Sequence, residues 1–236
     1  MAKHVLEEPA AVERFFAANA RSYQSFIRAL RYGPRLRAFL GRNGYLRSGM
    51  TVLDAGCGTG ALARAMHQIA KRHGAQRLTF HAFDLTPAML ALLQEWLRKH
   101  AVTDVEIRQA NVLQTETLPP TWRDYDLIVS SAMLEYQPKS ELAGALRNLA
   151  GLRAADGVLV VFISRENVLM YPLIRIWWKG NLYTRRELER SCADAGLRVR
   201  FRRFPLLHGF LNLWGYILEA RPGALVAALS PSGKGG

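Results

Sequence analysis

The densest chemical signal in this chain of 236 residues is Val52-Leu53-Asp54-Ala55-Gly56-Cys57-Gly58-Thr59-Gly60. An apolar stretch runs into a loop with glycine at alternate positions, then into a helix-forming segment. Glycine there lets the backbone turn tightly and approach a ligand with no Cβ in the way. With Ala61 in the last place, the loop also satisfies the relaxed G-x-G-x-x-G/A dinucleotide pattern. Asp54 separates the two readings. A loop that cradles a pyrophosphate relies on backbone N–H groups and a positive helix end, so a carboxylate beside it repels that ligand. The same carboxylate suits an ammonium or a sulfonium. No Lys-Ser or Lys-Thr follows the glycines, which excludes a phosphate-binding P-loop. A second acid, Asp84, closes His81-Ala82-Phe83-Asp84-Leu85, one helix and one strand beyond Gly60. At the carboxyl end of a neighbouring strand it can accept both hydroxyls of a ribose.

Such acids need a sheet to hold them, and the pattern around them supplies one. The spacing predicts strands at 50–55, 77–83, 105–109, 125–130 and 158–164, alternating with helices at 60–73, 87–100 and 139–153. Repeated units of this length imply an α/β fold with a doubly wound, mostly parallel sheet and helices on both faces. Two closing strands, 198–204 and 213–220, bring the sheet to seven. Ahead of it, Val12, Phe16, Tyr23, Ile27 and Leu30 share one face of a helix from Pro9 to about Arg31, with Arg14, Arg21 and Arg28 opposite. Gly33-Pro34 is expected to end that helix. After the fifth strand the alternation breaks at 165–183, RENVLMYPLIRIWWKGNLY. Thr184 and Glu187 then make a capping box for a helix to about Ala195. The expected organisation is a helical cap over 1–49, a sheet domain over 50–223 with 165–183 as a lid, and a tail over 224–236.

Composition bounds the rest. Half the residues are hydrophobic, enough for a sizeable core. Two cysteines, Cys57 and Cys192, make neither a disulfide framework nor a four-cysteine metal site. The opening MAKHVLEEPA lacks the apolar core of a signal peptide, and no apolar run reaches membrane-spanning length. A cytoplasmic protein, soluble or peripheral on the membrane, is expected. The formal charge of +13 at first suggests nucleic acid. Its distribution argues otherwise: 1–50 carries +6, 51–163 is neutral, and 164–236 carries +7. The excess lies entirely in the flanks.

VLDAGCGTG, FDLTPAML, ANVLQ and YDLIVSSAMLEY stand in the order and spacing of the successive motifs of the class I S-adenosylmethionine-dependent methyltransferases, which this chain resembles over residues 50–165. The closing YTRRELERSCADAGL is similar to the last helix of the ubiquinone and menaquinone biosynthesis-like small-molecule branch. The resemblance implies S-adenosylmethionine as cofactor. Gly56, Cys57, Gly58 and Gly60 would then pass its methionine part, with Asp54 near the ammonium. Asp84 would hold the ribose, and Leu85 and Met89 would pack near the adenine. Asn111 stands where the family often has an aspartate, and its carbonyl oxygen can still accept from the adenine amino group. Val112 would add a backbone N–H, and Ser130 to Ala132 would line the cofactor from the fourth strand. Tyr23 matches a position from which members cap the cofactor, although an aromatic on an apolar helix face serves a core equally well.

Methyl transfer from a sulfonium has an activated donor and a neutral leaving group, so the enzyme chiefly positions the reactants and excludes water. A base is needed only for a poor nucleophile. No Asp/Asn-Pro-Pro-aromatic signature follows the fourth strand, against adenine-N6 chemistry, and neither cysteine is placed as a nucleophile. Acceptor-side candidates are Glu135, Tyr136 and His208, with Tyr171 and Tyr183 in the flanking segments. Glu135 is the base candidate by position. A small apolar or lipid-like acceptor is expected, lidded by 165–183, with the arginines of the first helix facing an anionic membrane. RNA held by the basic flanks is the alternative. A non-catalytic, cofactor-binding partner subunit is the third reading. The strand arginines Arg198, Arg200 and Arg202 also suit a charged edge that blocks pairing.

Overall fold

The computed structural model describes residues 5–73, 78–205 and 209–223. Helix α1, Pro9–Ala29, starts with proline in its first turn, where a missing N–H costs nothing. It buries Val12, Phe16 and Ala20 and leaves Arg14, Arg21 and Arg28 exposed. The chain breaks two residues before Gly33-Pro34, at Arg31, whose backbone is left-handed with φ 50°. Pro34 instead sits in the first turn of α2, Tyr32–Arg42, where proline is tolerated.

The sheet domain follows as β1 (Thr51–Ala55), α3 (Ala61–His73), β2 (Thr79–Asp84), α4 (Pro87–Lys99), β3 (Val105–Gln109), β4 (Tyr125–Ser131), α5 (Leu142–Gly151), β5 (Arg153–Ser164), α6 (Arg185–Asp194), β6 (Leu197–Arg202), the short α7 (Leu211–Trp214) and β7 (Gly215–Pro222). Among the described residues seven strands form one sheet in the order β3-β2-β1-β4-β5-β7-β6. The first five are parallel, and β7 runs antiparallel to both β5 and β6. Strand residues alternate between two cores. Val52, Leu127, Val129 and Val160 meet α2, α3 and α4 on one face, while Leu53, Ile128, Leu159 and Val161 meet α5 and α6 on the other. Chain order reverses at β1, between β2 and β4. In open α/β sheets that is where a crevice forms at the strands' carboxyl ends.

Several boundaries differ from the sequence reading for local reasons. Strand β5 starts five residues early, at Arg153, and its register against β4 shifts between Tyr125 and Leu127. Gly157 permits this, since a Cβ there would lie 2.3 Å from the Tyr125 carbonyl oxygen. The helix expected over 139–153 is a tight turn at Lys139–Glu141 followed by α5. The strand expected from Leu213 begins at Gly215, after the turn of α7. Strand β6 is the sheet edge, as its alternating arginines suggested. The expected tail, 224–236, lies outside the described residues.

Segment 165–183 is ordered around a wide helical turn, Tyr171–Trp177. Trp178 is its anchor, 3% exposed. Its ring lies 5.1 Å from that of Tyr23 and 5.3 Å from that of Phe26. The Leu6 N–H donates to the Lys179 carbonyl at 2.9 Å. Buried Asn181 donates to Glu7 Oε1 at 3.2 Å and to the Gln137 carbonyl at 3.0 Å, and accepts from Arg175 at 3.0 Å. Residues from Leu6 through α1 and the insertion after β5 thus form one roof over the carboxyl ends of the strands.

Candidate active site: two chambers under one roof

The first chamber opens where β1, β2 and β4 end. Asp54, Gly56, Cys57, Gly58, Asp84, Leu85, Met89, Asn111 and Val112 line it together, with Tyr23 and Tyr136 contributing from the roof side. The glycine loop is tied to β2 by two amides, Gly56 and Cys57, which donate to the Phe83 carbonyl at 2.8 and 2.9 Å. All three glycines have positive φ, but they do different work. A Cβ on Gly58 (φ 51°) would meet nothing within 4 Å, leaving that stretch of backbone open to a ligand. On Gly56 a Cβ would strike Met133 at 2.3 Å, and on Gly60 it would strike Leu93 at 2.4 Å. Gly60 therefore serves the packing of the loop against α4, and it is absent from the chamber wall.

The two acids sit in contrasting states. Asp84 is already engaged: Oδ2 accepts from the Gly58 N–H at 2.8 Å and Oδ1 from the Thr86 N–H at 2.9 Å. Burial raises its pKa, and those backbone donors work against the rise. Asp54 is 1% exposed, and neither carboxylate oxygen has a hydrogen-bond partner. Burial, and then the charge of Asp84, push its pKa up to about 8 against the smaller pull of the Ala63 N–H. A buried carboxylate without partners is costly unless a cation or donor meets it. This orphaned acid, beside a loop with open backbone at Gly58, fits a ligand that carries an ammonium. Cys57 is buried and its thiol is pushed up by burial, which suits packing and not nucleophilic attack.

The second chamber lies beside the first, between the roof and the ends of β4, β5 and β7. Tyr23, Ile27, Tyr32, Ala132 and Tyr136 line both chambers. Ala132 takes a left-handed backbone, φ 55°, held by its N–H donating to the Phe162 carbonyl at 3.0 Å. That is a strained state for a non-glycine residue, and such strain concentrates at functional sites. Phe26, Leu30, Phe162, Met170, Leu173 and Trp214 are among the apolar residues of the remaining wall. Glu135 is the only charged side chain among the described residues lining this chamber. It is 2% exposed. Oε1 accepts from the Ser164 N–H and hydroxyl, each at 2.8 Å, while Oε2 has no partner. Burial raises the carboxyl to about 7 against the pull of those donors.

Ser130 is buried behind the first chamber, and its neighbour Ser131 reaches the wall. Strand alternation explains the offset by one. Asn111 does line the chamber, but its Oδ1 also caps the following turn by accepting from the Leu113 N–H at 3.0 Å. Tyr136 lies between the chambers with its phenol raised well above the ordinary value by burial. Tyr183 is buried below them and Tyr171 is exposed. His208 lies outside the described residues. Sequence reasoning missed Tyr32, whose hydroxyl meets Ser131 Oγ at 2.9 Å, and Thr86, Met133 and Trp178. Tyr32 follows the end of the first helix, expected at about Arg31, but the left-handed backbone of Arg31 that aims it had no local signal.

Residues 52–157 match the family described as methyltransferase domain. That stretch, a little under half of the chain, holds the glycine loop and both acids of the first chamber, and the strand order is that of the class I methyltransferase fold. Among curated relatives, the ribosomal protein L11 methyltransferase of Thermosipho africanus is 34% identical over 117 residues, covering 50% of this chain and 38% of that protein. The Thermotoga maritima protein of the same name is 36% identical over 95 residues, covering 40% of this chain and 31% of its own length. The matched stretch thus spans only about a third of those relatives. Among solved structures, the magnesium protoporphyrin IX methyltransferase of Synechocystis with bound SAH superposes with a TM-score of 0.66 at 18% identity, covering 90% of this chain and 99% of that one. The mitomycin 7-O-methyltransferase also gives 0.66 at 18% identity, covering 88% and 60%. At such identity the likeness is one of fold.

Proposed function

We propose that the protein transfers a methyl group from S-adenosylmethionine to a small, apolar, membrane-associated acceptor held in the second chamber. The observation that carries this reading is the chamber itself: apolar walls, one buried carboxylate, and five residues shared with the cofactor chamber. S-adenosylmethionine supplies an activated methyl group on a sulfonium, with a neutral thioether as leaving group. Asp54 would pair with its ammonium, Gly58 would give it backbone clearance, and Asp84 would accept from the ribose hydroxyls. Leu85 and Met89 would pack against the adenine, with Asn111 and Val112 at its edge. Glu135 would take a proton from the acceptor through Oε2 while Ser164 holds Oε1 in place. A carboxyl poised near neutrality suits that task. Segment 165–183 and α1 would act as the lid, excluding water and fixing the approach of the acceptor, which is worth several kcal/mol.

No helix among the described residues is long and apolar enough to cross a membrane. Large apolar groups are instead exposed beside the chamber, including Val168 at 92% and Trp177 at 70%. Such a patch on a protein surface marks an interaction site, and here it would admit an apolar acceptor from a bilayer. The arginines of the flanks support the second reading, RNA, but the apolar lining of the second chamber opposes it. A labelled-methyl assay divided between lipid extract, small-molecule extract and total RNA separates the readings. Incorporation into the lipid fraction is expected. Label in RNA alone would reject the acceptor assignment, and tight cofactor binding with no incorporation anywhere would favour a non-catalytic partner.

A further inference from the structure

A third concave surface lies between α1, α2 and α3, on the other side of Tyr32 and Ile27 from the second chamber. Arg28, Arg31, Arg37 and Arg64 line it, with no acidic side chain among the described residues of its lining. None of the four arginines makes an ion pair among the described residues. Arg64 donates to the Thr59 carbonyl at 2.6 Å and lies 5.1 Å over the Trp96 ring, and its Nε is buried without a partner. Arg37 donates to Gln68 Oε1. Arg28 and Arg31 are exposed and uncommitted in their side chains, and Arg28 is near enough to Arg64 to help depress its pKa beyond the effect of burial. Like charges gathered without a counter-ion repel, so the groove is built for an anion.

Its surroundings identify the source of that anion. Arg31 also acts on Arg35, whose guanidinium lies 4.2 Å over the ring of Phe210. Phe210 and Leu213 are 43% and 54% exposed. Asn167 donates to the Leu213 carbonyl at 2.6 Å, which joins this turn to exposed Val168 and Leu169. The basic groove therefore runs into the apolar patch at the mouth of the second chamber. Apolar groups beside arginines are the arrangement of a surface that enters the acyl boundary while its cations meet headgroups. We propose that this groove binds the phosphate of an anionic lipid headgroup, seating the neighbouring apolar patch in the bilayer. The proposal rests on the membrane-facing side of the reading above, yet it is independent of methyl transfer.

The test uses the full chain without cofactor and sedimentation with vesicles of phosphatidylcholine and phosphatidylglycerol in equal parts, at low salt. Arg28→Gln with Arg31→Gln should weaken partition roughly thirtyfold. Arg198→Gln with Arg200→Gln, an equal charge change on the far edge strand, should weaken it less than threefold. Circular dichroism confirms that both variants fold, which is expected since all four side chains are exposed. Equal losses in the two variants would overturn the proposal, because net charge alone would then explain binding. So would unchanged partition of the first variant. Calorimetric binding of inorganic phosphate that depends on Arg28 and Arg31, with no partition onto vesicles, would overturn it in favour of a soluble ligand. A failure to transfer methyl groups would leave all these outcomes readable.

Discussion

The two chambers share five residues and differ in almost everything else. The first is made chiefly of strand ends and a glycine loop from the stretch that matches the methyltransferase domain, closed over by residues of the first two helices, and holds two acids. The second is made largely of segments outside that stretch, α1, the 165–183 insertion and the turn before β7, and holds one. Each chamber has a buried carboxylate with an orphaned oxygen, Asp54 in one and Glu135 in the other. The difference lies in what steadies them. Oε1 of Glu135 is satisfied by Ser164, whereas neither oxygen of Asp54 has a hydrogen bond among the described residues and only the nearby Ala63 N–H acts to lower its pKa. A group held at one oxygen is positioned to move a proton at the other, and a group with no partner awaits one from a ligand. On the proposed function, the same burial would serve transfer in one chamber and binding in the other.

The largest effect should come from the second chamber. Glu135→Gln is expected to lower kcat by about a hundredfold or more, with cofactor affinity by calorimetry unchanged. The wild-type rate should rise with pH through about 7, as the base deprotonates, and the variant should lose that limb. An unchanged pH profile in Glu135→Gln would reduce the residue to a structural role and erase the contrast.

Next comes Asp54. Asp54→Asn should weaken S-adenosylmethionine by roughly a hundredfold, without affecting partition onto vesicles. Because the acid holds a proton up to about pH 8, a cation must displace it, so affinity should fall as pH drops below 8. Stability should respond in the opposite sense. The folded protein retains this proton between the ordinary carboxylate range and pH 8 while the unfolded chain does not. Its contribution to ligand-free stability therefore falls as pH rises through that window, and Asp54→Asn should flatten the slope in denaturant titrations.

Two glycines separate binding from packing inside the first chamber. Gly60→Ala must displace Leu93 and should cost about 2 kcal/mol or more in chemical denaturation. Gly58→Ala meets open space, so it should cost only the left-handed backbone, about 1 kcal/mol, while lowering cofactor affinity. Equal stability losses would mean that both positions serve packing. The smallest stability effect should be Trp177→Ser, within about 0.5 kcal/mol by thermal melting because the side chain is exposed. Its partition onto lipid vesicles should still weaken.

Much of the first chamber was legible because its signals are local. The glycine loop and Asp54 are contiguous, and Asp84 follows after one helix and one strand. Parity along β4 was not: Ser131, not Ser130, faces the ligand side, since a strand end shifted by one residue exchanges the two faces. The roof was legible only as composition. The first helix ends close to the expected Arg31, but the left-handed backbone there, after which Tyr32 reaches Ser131, carried no signal. Asn111 was read from its likeness to an aspartate, but its service as a turn cap depends on the backbone after β3.

By itself the sequence determined the sheet, the positive-φ loop, the acids at two strand ends and the neutrality of the cofactor half, because each depends on residues near one another in the chain. The tertiary structure decided which polar atoms were left unpartnered, where the insertion came to rest, and which arginines of α1 and α3 face each other across one groove. Burial and like-charge crowding are properties of space shared by distant segments, and no local pattern carries them.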